Sequence, residues 1–105
     1  MNKTELIKGH TKMLVLSALA EKPKHGYDIF QWIKHESGNQ FKFSPGMLYP
    51  LLHQMEKEKL LTAKWASSKS GPKRKNYAIT NKGLKELAKE KKQWLSFAKI
   101  INEII

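Results

Sequence analysis

Residues 80–105 constrain this chain more than any other stretch. Leu84, Leu87, Ala88, Trp94, Leu95, Ala98, Ile101 and Ile105 recur at helical spacing along one stripe, and Phe97, Ile100 and Ile104 widen it. Thr80 is placed to cap this helix, its hydroxyl accepting an N–H that the first turn leaves orphaned. Toward the C-terminus nearly every face is apolar. A helix of that kind has to be covered. A chain of 105 residues suggests one domain with little buried surface to spare. A partner chain is therefore expected to cover it.

The stretch 44–59 sets the second constraint. Ser44 suits the cap position, and Pro45 sits where a missing N–H costs nothing. Leu48, Leu51, Leu52 and Met55 follow as one apolar stripe. The opposite face carries Met47, Tyr49, His53, Gln54 and Lys57. It is low in charge and mixed in hydrogen-bonding groups, which suits a surface that reads base edges in the major groove of DNA. Pro50, beyond the first turn, predicts a local kink or a loosened start.

The other elements follow from the same periodicities. Residues 4–20 read as a helix capped by Thr4, with Gly9 weakening its middle and moving the firm start toward Thr11. Residues 21–25 read as a loop. A short second helix over residues 26–36 presents Tyr27, Ile29, Phe30, Trp32 and Ile33, and Gly38 supplies a left-handed cap after it. Phe41 and Phe43 point to the core. Residues 60–66 alternate as a strand with Leu61, Ala63 and Trp65 on one face. Residues 67–72 are a turn by composition, and residues 73–80 return as a second strand with Tyr77 and Ile79 facing in. Trp32 and Trp65 read as core. The fold class is mainly α with a small β-hairpin: a winged helix-turn-helix over residues 1–80, followed by a C-terminal dimerisation helix over residues 81–105, as one structural unit.

Charge points to an anionic partner. Lysine and arginine total 20 against 9 acids, a formal charge of +11. Between positions 57 and 75 there are seven basic residues and one acid, Glu58. Lysines on a hairpin can neutralise phosphates while the preceding helix contacts bases. Lysine outnumbers arginine nineteen to one, which tempers base-specific reading, since arginine is the usual bidentate partner of guanine. The absence of cysteine excludes disulfides and thiolate metal sites. His10, His25, His35 and His53 lack metal-ligand spacing, and no phosphate-binding glycine loop is present. Asp28, Glu36, Glu56 and Glu58 have ordinary helix-surface explanations, so no enzyme, metal or cofactor is expected. No signal peptide is expected, and the apolar run 13–20 is too short to span a bilayer.

Four motifs in order carry a resemblance: residues 13–19 (MLVLSAL), 25–29 (HGYDI), 44–52 (SPGMLYPLL) and 71–80 (GPKRKNYAIT). Together they resemble the PadR family of bacterial transcriptional regulators from about residue 11 to about residue 95, and the length resembles its short members. The resemblance implies a dimeric winged-helix protein of the bacterial cytoplasm, usually a repressor, on a palindromic double-stranded operator. It implies DNA contacts from Ser44, Gly46, Met47, Tyr49 and His53 on the recognition helix and from Lys69, Lys73, Arg74 and Lys75 on the wing. It implies a homodimer seam through Leu87, Trp94, Leu95, Ala98, Ile101 and Ile105. It also implies, for some members, release by a small aromatic effector, for which Trp94 and Phe97 are suitably placed. Three positions depart from the family pattern. Met47 replaces a threonine, Lys59 replaces the glycine that ends the recognition helix, and Lys73 replaces a second proline in the wing. The alternative is a winged-helix adaptor or RNA-binding protein without operator specificity.

Overall fold

The computed structural model describes residues 8–68 and 71–105, with side chains except at positions 8, 67, 68 and 71–73. A short 3-10 turn, Lys8–His10, leads into α1 (Thr11–Glu21). The helix starts after Gly9, as the helix cost of glycine predicts; the expected cap Thr4 lies outside the described residues. Then come β1 (Lys24–His25), α2 (Gly26–Glu36), α3 (Pro45–Lys57), β2 (Leu61–Ser68), β3 (Gly71–Ile79) and α4 (Asn81–Ile104).

The helix-turn-helix is α2 and α3. Both helices end in the same pair of hydrogen bonds. After α2, the Gly38 N–H donates to the His35 carbonyl at 3.0 Å and the Asn39 N–H to the Lys34 carbonyl at 2.8 Å, with Gly38 left-handed at φ 61° and Asn39 after it at φ 65°. After α3, the Lys59 N–H donates to Glu56 and the Leu60 N–H to Met55, both at 3.0 Å, with Lys59 left-handed at φ 63°. The departure at Lys59 thus falls on a position whose backbone favours glycine.

One detail of α3 differs from expectation. Ser44 is the N-cap residue, but its hydroxyl makes no capping hydrogen bond. Its backbone carbonyl accepts instead from Met47 at 3.1 Å and Leu48 at 3.0 Å. Pro50 lies inside the helix, which runs from Pro45 to Lys57. The carbonyl that loses its partner belongs to Gly46, which is exposed to water.

Val15, Leu16 and Leu19 of α1, Ile29 and Ile33 of α2, and Leu48, Leu52 and Met55 of α3 form the core, closed by Phe43, Leu60, Leu61 and Tyr77. Phe41 packs part-buried against it. Lys24 is also buried. Its ammonium donates to the Ala18 carbonyl at 2.7 Å and to Glu21 Oε1 at 3.2 Å, so a cation closes the C-terminal end of α1.

The sheet is three-stranded and antiparallel, in the order β1-β3-β2. The loop expected over residues 21–25 contains a strand, because Lys24 and His25 pair with Tyr77 and Asn76. The hairpin is also longer than its composition implied: Leu61 pairs with Ile79, Ala63 with Tyr77 and Trp65 with Lys75, and the ladder reaches Ser68 opposite Gly71. Trp32 packs part-buried on the core and donates its indole N–H to Glu21 Oε2 at 2.6 Å. Trp65 is not core. It lies on the same strand face as buried Leu61 but beyond the edge of the core, and is 66% exposed.

Thr80 caps α4 as expected, accepting the Gly83 N–H at 2.9 Å. Leu60 binds this corner as well, its carbonyl accepting from the Thr80 N–H at 3.0 Å. A Cβ on Gly83 would clash with that carbonyl oxygen and come within 2.7 Å of Ile79 Cγ1. Past this corner Leu84, Leu95, Phe97, Ile100 and Ile104 stand exposed. Among the described residues no helix is long and apolar enough to cross a membrane.

Candidate nucleic-acid interface

The apolar stripe of α3 anchors the helix in the core and turns its other face outward. Ser44, Gly46, His53, Gln54 and Lys57 are exposed, Tyr49 is 42% exposed, and Met47 is half-buried. The Tyr49 ring lies along the start of α2: a Cβ on Gly26 would sit 2.6 Å from Tyr49 Cε1. Gly26 therefore lets the two helices of the motif approach and fixes where Tyr49 presents its hydroxyl.

The hairpin rises beside α3. Between them opens a cavity of about 510 Å³ lined by His25, Gly26, Tyr27, Tyr49, Trp65, Arg74, Lys75 and Tyr77. Arg74 is exposed and makes no ion pair among the described residues. Lys75 is engaged: its ammonium lies 2.8 Å from Glu56 Oε1, and 5.8 Å and 5.6 Å from the centres of the Trp65 and Tyr77 rings. The hydrogen bond to Glu56 raises the Lys75 pKa, partly opposed by burial. Burial raises that of the Tyr77 phenol. Lys69 lies outside the described residues, as does the side chain of Lys73.

The structure thus brings Tyr49, Arg74 and Lys75 around one cavity, with Ser44, Gly46, Met47 and His53 along the helix beside it. The sequence reading missed Glu56, Trp65, Tyr27 and His25 as members of this surface. Hairpin register alone pairs Trp65 with Lys75, but nothing local signals that Glu56, nineteen positions earlier, reaches the same ammonium.

On α4, Trp94 and Phe97 lie together with ring centres 6.2 Å apart, and His10 packs edge-on to Trp94 at 4.9 Å. With Gly9, Met13, Glu90 and Gln93 they line a second cavity of about 290 Å³. Glu90 Oε2 is buried there without a hydrogen-bond partner among the described residues. Burial, reinforced by Glu86, pushes the Glu90 carboxyl above the usual carboxylate range.

This arrangement of helices, wing and terminal helix has relatives. The model of the transcriptional regulator PadR-like family matches residues 15–89. The chain belongs to that family. PadR-like proteins are transcriptional regulators rather than enzymes, and the helix-turn-helix with its hairpin is the winged helix of that fold. A PadR-like transcriptional regulator from Bacillus cereus shares 32% identity, with 95% of each chain covered and a TM-score of 0.80. A PadR family regulator from Eggerthella lenta shares 31% identity over 95% of this chain and 85% of that one, with a TM-score of 0.85. A transcriptional regulator from Clostridium thermocellum superposes with a TM-score of 0.90 over 100% of this chain and 99% of its own; at 23% identity it speaks to fold alone. Among sequences, an uncharacterised Lysinibacillus sphaericus protein is 31% identical over 97% of this chain and 94% of its own length. The Escherichia coli transcriptional regulator YqjI is 27% identical over 81% of this chain, which corresponds to 39% of YqjI.

Proposed function

We propose that this PadR-like chain is a homodimeric repressor that binds a palindromic operator in double-stranded DNA. The observation that carries the reading is the exposed polar-aromatic face of α3 standing beside a cationic hairpin. A helix of that width fits the major groove, and a flanking cation beside it can neutralise a phosphate. Tyr49 and His53 supply groups for base edges. Ser44 and Gly46, at the helix start, supply backbone approach to a phosphate. Among the described residues of the wing Arg74 makes no ion pair, and the wing sequence also carries Lys69 and Lys73. Met47 puts a thioether where the family pattern has a hydroxyl, so the preferred operator differs from that of threonine-bearing relatives.

Residues 81–105 join two copies in this reading, through Leu87, Trp94, Leu95, Ala98, Ile101 and Ile105. The apolar surface left open along α4 supports it. A two-fold dimer reads a palindrome because its symmetry repeats in the DNA. The aromatic cavity at Trp94 and Phe97 suits a small aromatic effector that releases DNA. A repressor of this kind works in the bacterial cytoplasm.

The test is selection of a preferred duplex from a random pool, followed by binding of that duplex, a scrambled duplex and RNA of equal length. Tyr49→Ala is expected to weaken the selected duplex more than the scrambled one. Equal losses would remove Tyr49 from base reading, and equal wild-type affinity for all three nucleic acids would refute operator recognition.

A further inference from the structure

We propose that Glu56 sets the DNA specificity of this protein by holding Lys75 away from phosphate and tying the wing to the reading helix. The proposal rests on the reading of α3 and the hairpin as the DNA-binding face.

Glu56 is electrostatically out of place. It lies in the last turn of α3, next to exposed Lys57 and facing a hairpin that carries Arg74 and Lys75. A carboxylate there repels a polyanion. The nearby acid Glu58 is turned to α1, where it pairs with Lys12 at 3.4 Å. Glu56 instead points to β3 and accepts from Lys75 at 2.8 Å. The pair is neither buried nor loose: the two side chains keep 24% and 32% of their exposure, and the rings of Trp65 and Tyr77 flank the ammonium. It is a strut between α3 and the wing, made by residues far apart in sequence.

Two consequences follow from the geometry. The strut fixes the angle at which the wing meets DNA once α3 is seated. It also neutralises the central cation of the wing, so that Lys75 releases no counterion on binding. Counterion release supplies nearly all of non-specific affinity, the background against which an operator must be distinguished. Glu56 therefore trades general affinity for discrimination.

Four proteins test this: wild type, Glu56→Gln, Lys75→Met and the double variant, each titrated with salt on a selected and a scrambled duplex. Glu56→Gln keeps the shape and frees one charge. Its log-affinity against log-salt slope on scrambled DNA is expected to steepen by about 0.9, which widens the loss between about 50 and about 200 mM salt by about 3.5-fold. The double variant, which removes both charges of the pair, is expected to keep the wild-type slope, whereas Lys75→Met alone leaves the Glu56 carboxylate bare and is expected to weaken binding to both duplexes. The selected-to-scrambled ratio is expected to fall in both single variants. Glu56→Asp, which keeps the charge, is expected to keep the wild-type slope. A slope that flattens by about one unit in the double variant relative to wild type would show that Lys75 contacts phosphate directly, and would overturn the proposal. An unchanged slope and ratio in Glu56→Gln would do the same while leaving the DNA reading intact. A wild-type protein that binds no duplex would overturn both together.

Discussion

The two helices of the helix-turn-helix end in the same hydrogen-bonded turn, yet glycine stands at the first left-handed position after one and lysine after the other. That difference makes a paired experiment. An L-residue in this conformation costs about 1–2 kcal/mol, because Cβ crowds the following carbonyl oxygen. Glycine escapes that cost but gives up about 0.5–1 kcal/mol in chain entropy on folding. Lys59→Gly should therefore stabilise the protein by a net of about 0.5–1 kcal/mol. Gly38→Ala should destabilise it by a similar amount, and it isolates the backbone effect, since a Cβ at Gly38 meets nothing within 4 Å. For a domain of this size either change corresponds to about 2–8 °C in thermal midpoint. Thermal unfolding by circular dichroism reads both. Protein concentration must be held constant, because association shifts the midpoint. Lys59→Ala is the control: it keeps the left-handed strain and deletes the long side chain. The reasoning fails if Lys59→Gly gives no gain while Gly38→Ala gives its loss, or if Lys59→Ala reproduces the gain of Lys59→Gly.

Three further outcomes are expected. Gly83→Ala forces a Cβ onto the Leu60 carbonyl and Ile79, an overpacking cost of about 1–3 kcal/mol that outweighs the roughly 1 kcal/mol helix preference of alanine; a rise in thermal midpoint would contradict it. Glu90 has a folded-state pKa raised by burial, so the folded state binds its proton more tightly than the unfolded chain does. Its ionisation therefore weakens folding at neutral pH, and stability regains that loss as pH falls through the raised value toward the usual carboxylate range. Glu90→Gln should raise the midpoint at neutral pH, with a gain that shrinks in acid; a gain independent of pH would remove ionisation as the cause. Truncation after Gln93 should give a monomer or an insoluble chain, and a well-folded dimer by sedimentation would show that the seam lies elsewhere.

Much of the fold was legible because its longer elements bury one periodic face. Leu48, Leu52 and Met55 declare α3, and Leu61 with Tyr77 declares the base of the hairpin. What escaped depends on partners distant in the chain. β1 is only Lys24 and His25, too short for any alternation, and exists because β3 offers a ladder. Trp65 follows the inward parity of its strand, but parity does not say where the core stops. Ser44 occupies the expected cap position, while the bond its hydroxyl was expected to make is absent; position is a matter of local sequence and hydroxyl direction is not. Of the candidate interface, the outward face of α3 was readable from helical spacing. The Glu56–Lys75 pair was not, since two oppositely charged surface residues so far apart carry no joint signature.

The corner where Leu60 meets Thr80 and Gly83 is a joint without slack. The Thr80 N–H and hydroxyl both donate to the Leu60 carbonyl at the foot of α3, and Gly83 backs directly onto that carbonyl. In the proposed dimer, α4 then acts as a stiff lever rather than a tether. At about 1.5 Å per residue its 24 residues span about 36 Å, so a tilt of about 5° at one end displaces the other by about 3 Å. That is close to the rise of one base pair. A ligand wedged at Trp94 would need to alter the helix angle only slightly to carry the two reading heads out of step with the turns of DNA.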